Sequence, residues 1–402
     1  MLKSAFALTY EMDDVEAAAE QLAASIKKDL TLSKNSCGFL FCDSEMEHEA
    51  FIASLEKKLQ FEIVGFSTVA TLDRTGFHDM AATLTVLTSD DVEFAVALSD
   101  SLDAENVHEQ IKKTYAEGVE KLGGQPKLIF AVPSYNLEIT LDDYPETLDE
   151  VSGGVPVFGG LPASNPPYGA NLIFAKGKTC TDRMALLLMA GNIRPVFSVQ
   201  NTLSNVTEMK RPVTHSSGNV IYSVGNGTFV DFLRSFGLPV EKIATEDNTT
   251  FFVSNPLMVE IKQNENDDGI PIVRTLHSID LEKGSGTAIG KVPQAASISL
   301  GAMRRSDIEE ASEIAMRDLA AKMEKNGKDG YVYSAVLCVS CIGRYMVLAP
   351  DRDVEGKVLA SSMPEGVTFN GFYGYGEICP TSMRGDRAVN RAHNESIVLC
   401  AL

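Results

Sequence analysis

Three times along this chain an apolar run of strand length is followed by a polar or helical stretch, then by a strand that ends in a glycine element, then by another strand. The repeats run from about Phe39 to Leu87, Leu128 to Phe174 and Val336 to Leu399. No other feature restricts the fold as much. Continuous apolar strands need cover on both faces, and the helical stretches between them supply it. The expected class is α/β: two related α/β halves with mixed β-sheets flanked by helices, arising by internal duplication. In the first and third repeats a glycine–phenylalanine pair precedes a histidine, Gly65–Phe66 with His78 and Gly371–Phe372 with His393. Their separations differ, so the loops have diverged. Self-similarity of this kind predicts glycine loops that meet near the interface of the halves, where small-molecule pockets tend to form.

Local signals fill in the elements. Asp13 or Asp14 can cap a helix that buries Val15, Ala18, Leu22, Ile26 and Leu30. Ser44 and Glu47 have capping-box spacing ahead of a helix through Phe51, Leu55 and Leu59. MAATLTVLT and VEFAVALS read as a strand pair, and a helix over about 103–122 should stop at Gly123. Pro195, Pro212, Gly218, Gly225 and Gly227 crowd together, which places a domain boundary near 217 and gives domains 1–217 and 218–402. Beyond it, FFVSNPLMVEI and GIPIVRTLHSI read as paired strands around a solvated NENDD turn. Ser306 and Glu309 form a capping box for a helix with Ile308, Ala311, Ala315, Leu319 and Met323 on one face.

Charge and cysteine usage narrow the function. A formal net charge of −20 argues against electrostatic binding to nucleic acid or an anionic membrane. No apolar run reaches bilayer length, and the N-terminus turns acidic before a signal-peptide core could form, so a cytoplasmic protein is expected. Seven cysteines, mostly inside apolar runs, fit buried reduced thiols. Cys338 and Cys341 make a lone C-x-x-C that reads as part of a strand rather than as the opening of a helix, which is weak support for zinc or redox chemistry. No metal site is expected.

The densest chemistry lies between Gly371 and Asn394. GFYGYGEICP brings Gly371, Tyr373, Tyr375, Gly376 and Glu377 together, with His393 and Asn394 opening the last strand. Such a strand end reads as a pocket wall in which Glu377 accepts from an amine and the tyrosines pack around it. A tight bulge with two packed tyrosines is the structural alternative.

This stretch resembles the C-terminal signature of the FIST family of intracellular sensory domains. Cys341, Gly343 and Arg344 in SCIGR are similar to that family's cysteine–glycine–arginine element. Gly65, Ser67 and Thr68 in VGFSTVA are similar to its glycine–serine–threonine element, Gly159 and Gly160 to its double glycine, and His393 and Asn394 to its histidine–asparagine pair. The resemblance covers nearly all the chain. After Gly160 the sequence reads LPASN where the family usually carries small residues ending in glycine and aspartate, so Asn165 stands as a neutral substitute.

The resemblance implies a non-catalytic sensor of a small polar ligand, an amino acid or a related compound, that signals through a protein partner. In that reading Glu377 and Arg344 would hold the ligand's two charges, with Ser67 and Thr68 adding neutral bonds. Alternatively, Arg344 and Glu377 satisfy each other. The resemblance also implies, as an alternative, a haem-binding nitric oxide sensor with a histidine as axial ligand, and Cys341, His393 and Glu377 have the residue types of a nucleophilic hydrolase. The sequence holds no C-x-x-C-H, G-x-S-x-G, P-loop or metalloprotease helix.

Overall fold

The computed structural model describes residues 1–165, 170–202, 205–245, 249–261 and 270–402. The repeat seen in the sequence is a structural unit that occurs three times. The first unit comprises β1 (Lys3–Thr9), α1 (Val15–Asp29), β2 (Asn35–Asp43), α2 (His48–Leu59), β3 (Ile63–Thr68), the hairpin β4 (Thr71–Asp73) and β5 (Gly76–His78), and β6 (Ala82–Ser89). The second comprises β7 (Val92–Leu98), α3 (Val107–Leu122), β8 (Leu128–Pro133), α4 (Asp143–Ser152), β9 (Val157–Gly160), the hairpin β10 (Ile173–Ala175) and β11 (Lys178–Cys180), and β12 (Met184–Gly191). The third begins with β13 (Val196–Asn201). After an insertion it continues with α5 (Arg305–Asn326), β14 (Ala335–Cys341), α6 (Ile342–Leu348), α7 (Asp353–Ser362), β15 (Thr368–Gly374), the hairpin β16 (Glu377–Arg384) and β17 (Arg387–His393), and β18 (Ser396–Ala401).

Each unit builds a sheet in the same order, first strand, last strand, second, third, and then borrows its edge from another unit. The hairpin of unit two pairs with β3 of unit one, Ile173 opposite Phe66. That of unit three pairs with β9, Glu377 opposite Gly160, and that of unit one with β15, Thr71 opposite Phe372. The exchange is cyclic and leaves no unit with a sheet wholly its own. One face of each sheet meets a shared core that includes Phe39, Phe41, Phe66, Phe130, Phe158 and Phe372. The other face packs under that unit's helices. The architecture is thus mixed α/β sheets flanked by helices, as expected, with a threefold unit inside it.

The glycine elements hold equivalent places. Gly65, Gly159 and Gly371 lie beside Leu40, Ala131 and Cys338 of the neighbouring parallel strand. A Cβ on Gly65 would stand 1.7 Å from the Leu40 carbonyl oxygen, and one on Gly159 2.0 Å from that of Ala131. The requirement is therefore close approach of backbones. One position further along, the rings of Phe66 and Phe372 stack with centroids 4.7 Å apart. The third equivalent is Gly160, where a Cβ would meet Gly376 O at 2.8 Å and Val339 at 2.9 Å. His78 and His393 also correspond: each closes its hairpin opposite the hairpin's first residue, Thr71 and Glu377.

The described residues between 205 and 302 form the insertion, an antiparallel sheet with its own apolar core around Val213, Ile221, Phe229, Leu257 and Ile298. The boundary expected near 217 falls at the tight turn of one of its hairpins, Arg211–Ser217 with Val220–Val224.

Several local expectations are corrected. β6 and β7 do not pair; the chain passes between two sheets there. The segment FFVS belongs to a short helix, Thr249–Ser254, and only Leu257–Glu260 pairs with Ile272–Arg274. The NENDD turn lies outside the described residues. Helix α2 starts at His48 without a side-chain cap, while Ser44 Oγ accepts from the Asn165 amide. At α5 the capping bond runs from the Arg304 amide to Asp307 at 2.9 Å, two residues before the expected Ser306–Glu309 pair. Gly123 does end α3, with a left-handed φ of 71°.

Candidate functional site

The loops that follow the three glycines meet and bind one another. Thr68 Oγ1 donates to the Tyr373 carbonyl at 2.9 Å and accepts from the Tyr373 amide at 3.2 Å. Ser67 Oγ donates to Ala170 O at 2.9 Å and accepts from Leu172 N at 2.8 Å. Leu161 N donates to Gly376 O at 3.0 Å. Ser67, Thr68, Gly159, Gly160, Gly371 and Gly376 therefore hold the units together. Tyr375 packs on Tyr135 with centroids 4.9 Å apart. The Tyr373 ring is fully buried between Phe77 and Tyr345. Burial, and then the neighbouring Glu355 carboxylate, push its phenol well up.

Arg344 is not at a strand end. β14 stops at Cys341, and Arg344 lies inside α6, fully buried. Its partner is Glu355 of α7, which takes both Nε (3.0 Å) and Nη2. Nη1 donates to Thr202 Oγ1 at 2.7 Å and Nη2 also to Ser312 Oγ at 2.8 Å. The guanidinium is satisfied by the protein, so neither the ligand role nor the Arg344–Glu377 pair is what the fold builds. Glu355 was silent in the sequence because its match to Arg344 depends on two helices docking.

Glu377 starts β16 and is also fully buried. Its Oε2 accepts from the Ser396 amide at 3.2 Å, and its Oε1 has no conventional hydrogen-bond partner among the described residues. Beside it lie the Cys341 thiol and a second buried carboxyl, Glu395, which the sequence did not single out although it follows His393 and Asn394 directly. Burial, then the Glu395 carboxyl, raise Glu377 far above the usual carboxylate range. Burial raises Glu395 to about 7. Thr275 Oγ1 of the insertion donates to Glu395 Oε1 at 2.6 Å.

The C-x-x-C lies in β14, as expected, and its second cysteine, Cys341, is also the N-cap residue of α6. Burial, with Glu377 and then Glu395 beside it, lifts its thiol well above the ordinary value, the reverse of what an activated nucleophile needs. His393 Nε2 donates to the Cys379 carbonyl at 3.1 Å, and Asn394 Nδ2 donates to the His393 carbonyl at 3.0 Å.

Behind this cluster a cavity of about 330 Å³ opens between β13, α5, the insertion and the start of the third hairpin. His393 and Ser396 line it on one side, and Ile272 and Val273 of the insertion on another. Two further wall residues, Asp318 and Lys322, stand one turn apart on α5, a spacing the sequence shows only as an ordinary polar face. Lys322 Nζ donates to Asp318 Oδ2 at 2.7 Å and to the Phe197 carbonyl at 2.8 Å. Ser198 Oγ donates to the same Asp318 oxygen at 2.7 Å. That leaves Asp318 Oδ1 and one Lys322 N–H without a partner among the described residues.

No group of metal-ligating side chains occurs among the described residues, and no helix among them is long and apolar enough to cross a membrane. In comparisons with known proteins, residues 36–226 match the FIST N domain and residues 233–380 the FIST C domain. No curated protein matches. Among solved structures, a cyanuric acid hydrolase from A. caulinodans aligns over 100% of this chain and 99% of its own at 8% identity, with a TM-score of 0.40. A chorismatase aligns over 100% and 98% at 11% identity, with a TM-score of 0.38.

Proposed function

The chain belongs to the FIST family, whose domains are sensory domains of signal transduction, and from that premise we propose that it senses a small polar ligand, an amino acid or a related compound, in the cavity between the third unit and the insertion. One observation carries this reading: Asp318 and Lys322 present an anion and a cation on the cavity wall, each already held by a second bond to β13. An α-amino acid needs one group of each sign. A pair fixed from behind loses little freedom when a ligand binds, which sets it apart from a loose surface ion pair. At about 330 Å³ the cavity lies at the small end of the range for ligand pockets. In this reading the ligand is bound and not processed; the raised Cys341 thiol, buried beside Glu377 and Glu395, speaks against the cysteine-hydrolase alternative.

The output passes to a signalling protein partner, and the setting is the cytoplasm, where the seven free cysteines stay reduced. The test is a thermal-shift screen of amino acids, simple amines, simple carboxylates and haem on the wild type, Asp318→Asn and Lys322→Met. At one hundred times its dissociation constant a ligand adds about 2.7 kcal/mol, a rise of a few degrees at this size. An amino acid should raise the melting temperature of the wild type and of neither variant. Equal responses in all three proteins, or none in any, would contradict the proposal. Intense violet absorption with haem would point to the cofactor instead.

A further inference from the structure

The insertion rests on the three-unit core at a buried polar seam. Arg274, only 1% exposed, donates to Asp142 at 2.6 Å and to the Ala392 carbonyl at 3.0 Å. The next residue, Thr275, bonds to Glu395. The strand just before them supplies Ile272 and Val273 to the cavity wall. Whatever governs this seam therefore governs the cavity.

Glu395 has a left-handed backbone, φ 53°, and is 1% exposed. A Cβ on Gly343 would stand 2.0 Å from its Oε2, so only glycine leaves room for the carboxyl. The groups facing the Glu377–Glu395 pair are Cys341 from β14, Arg344 from α6, Thr275 from the insertion and the Ser396 amide from β18. Arg344 is the one cation among them, and Glu355 already takes its charge. Two carboxyls and a thiol thus share a closed space with no cation of their own.

We propose that the Glu377–Glu395 pair is a proton-dependent clasp in which Glu377 stays buried and protonated: with Glu395 also protonated the insertion closes over the cavity, and ionisation of Glu395, a charge that the Thr275 bond alone does not compensate in that closed space, favours an opened form in which water reaches it. In the closed form burial holds Glu395 at about 7; opened to water, the carboxyl returns to about 4.3. Between those values the closed form binds more protons than the open one. Raising the pH through that window therefore favours opening, by up to tenfold per pH unit, and the gain levels off above about 7. This rests on the cavity proposed above as the ligand site, but its test needs no ligand, so either can fail alone.

The test is hydrogen exchange on the full chain at pH 5, 6, 7 and 8, each divided by the intrinsic rate at that pH. The amides to read are Lys291, which bonds across the seam to Asp142 at 2.9 Å, and Ser396, which bonds to Glu377. Corrected exchange should rise severalfold or more from pH 5 to 7 in the wild type and stay flat in Glu395→Gln. A flat wild type, or the same rise in the variant, would overturn the proposal. Should Glu395→Gln not fold, Thr275→Val serves: it should open the seam already at pH 5, and unchanged protection there would count against the clasp.

Discussion

At the residue scale the clearest dependence is that of Arg344 on Glu355. Both are fully buried, and no other carboxylate bonds the guanidinium among the described residues. Glu355→Ala would leave a charge in the interior with only hydroxyls and the Ile308 carbonyl as partners, a loss of about 3–5 kcal/mol. Chemical denaturation should show it as a fall in the midpoint with the slope unchanged. A loss under about 1 kcal/mol would mean that the pair is not what keeps Arg344 in place. Arg344 itself was legible from sequence as an unusual residue at the end of an apolar run. Its partner was not, because i to i+11 across two helices is a spacing that no local rule encodes. Glu377 was legible for the same reason as Arg344, yet its role changed: it faces Glu395 and Ser396 behind the cavity wall rather than the cavity itself.

At the scale of elements, glycine-ended strands and amphipathic helices could be read from sequence because their periods are local. The exchange of hairpins could not. β4–β5, β10–β11 and β16–β17 each bond to a unit far away in sequence, and strand patterns do not name a partner. The longer third hairpin, with its bulge between Pro380 and Ser382, explains why His393 lies further from Gly371 than His78 does from Gly65. The insertion is the element most open to test. It is fixed by Arg274 and by Lys291, whose Nζ reaches Asp143 at 2.7 Å and Glu146 at 2.6 Å. Asp142→Asn weakens the buried bond and should raise exchange at the Lys291 amide while β2, β8 and β14 stay protected. Uniform loss of protection in all sheets would show instead that insertion and core unfold as one.

For the whole molecule, the number of repeats was visible in the sequence, and the way they close on one another was not. Three sheets around a shared phenylalanine core make a rigid frame, and the insertion in unit three breaks its symmetry on one side. The cavity lies at that break, lined by β13, α5 and the insertion. Sequence reasoning pointed to His393 and the last strand, and His393 and Ser396 line the cavity in which we propose that the ligand binds. It missed Asp318 and Lys322 because an acid and a base four residues apart occur on most exposed helices. The most direct measurement is a hydrogen-exchange difference map of the wild type with and without a saturating amino acid taken from the thermal screen. The account predicts slowed exchange in β13, in Ile272–Arg274 and around Ser396, with the first unit unchanged. Protection centred elsewhere, for instance on the groove formed by Arg74, Glu365 and Phe369, would contradict it.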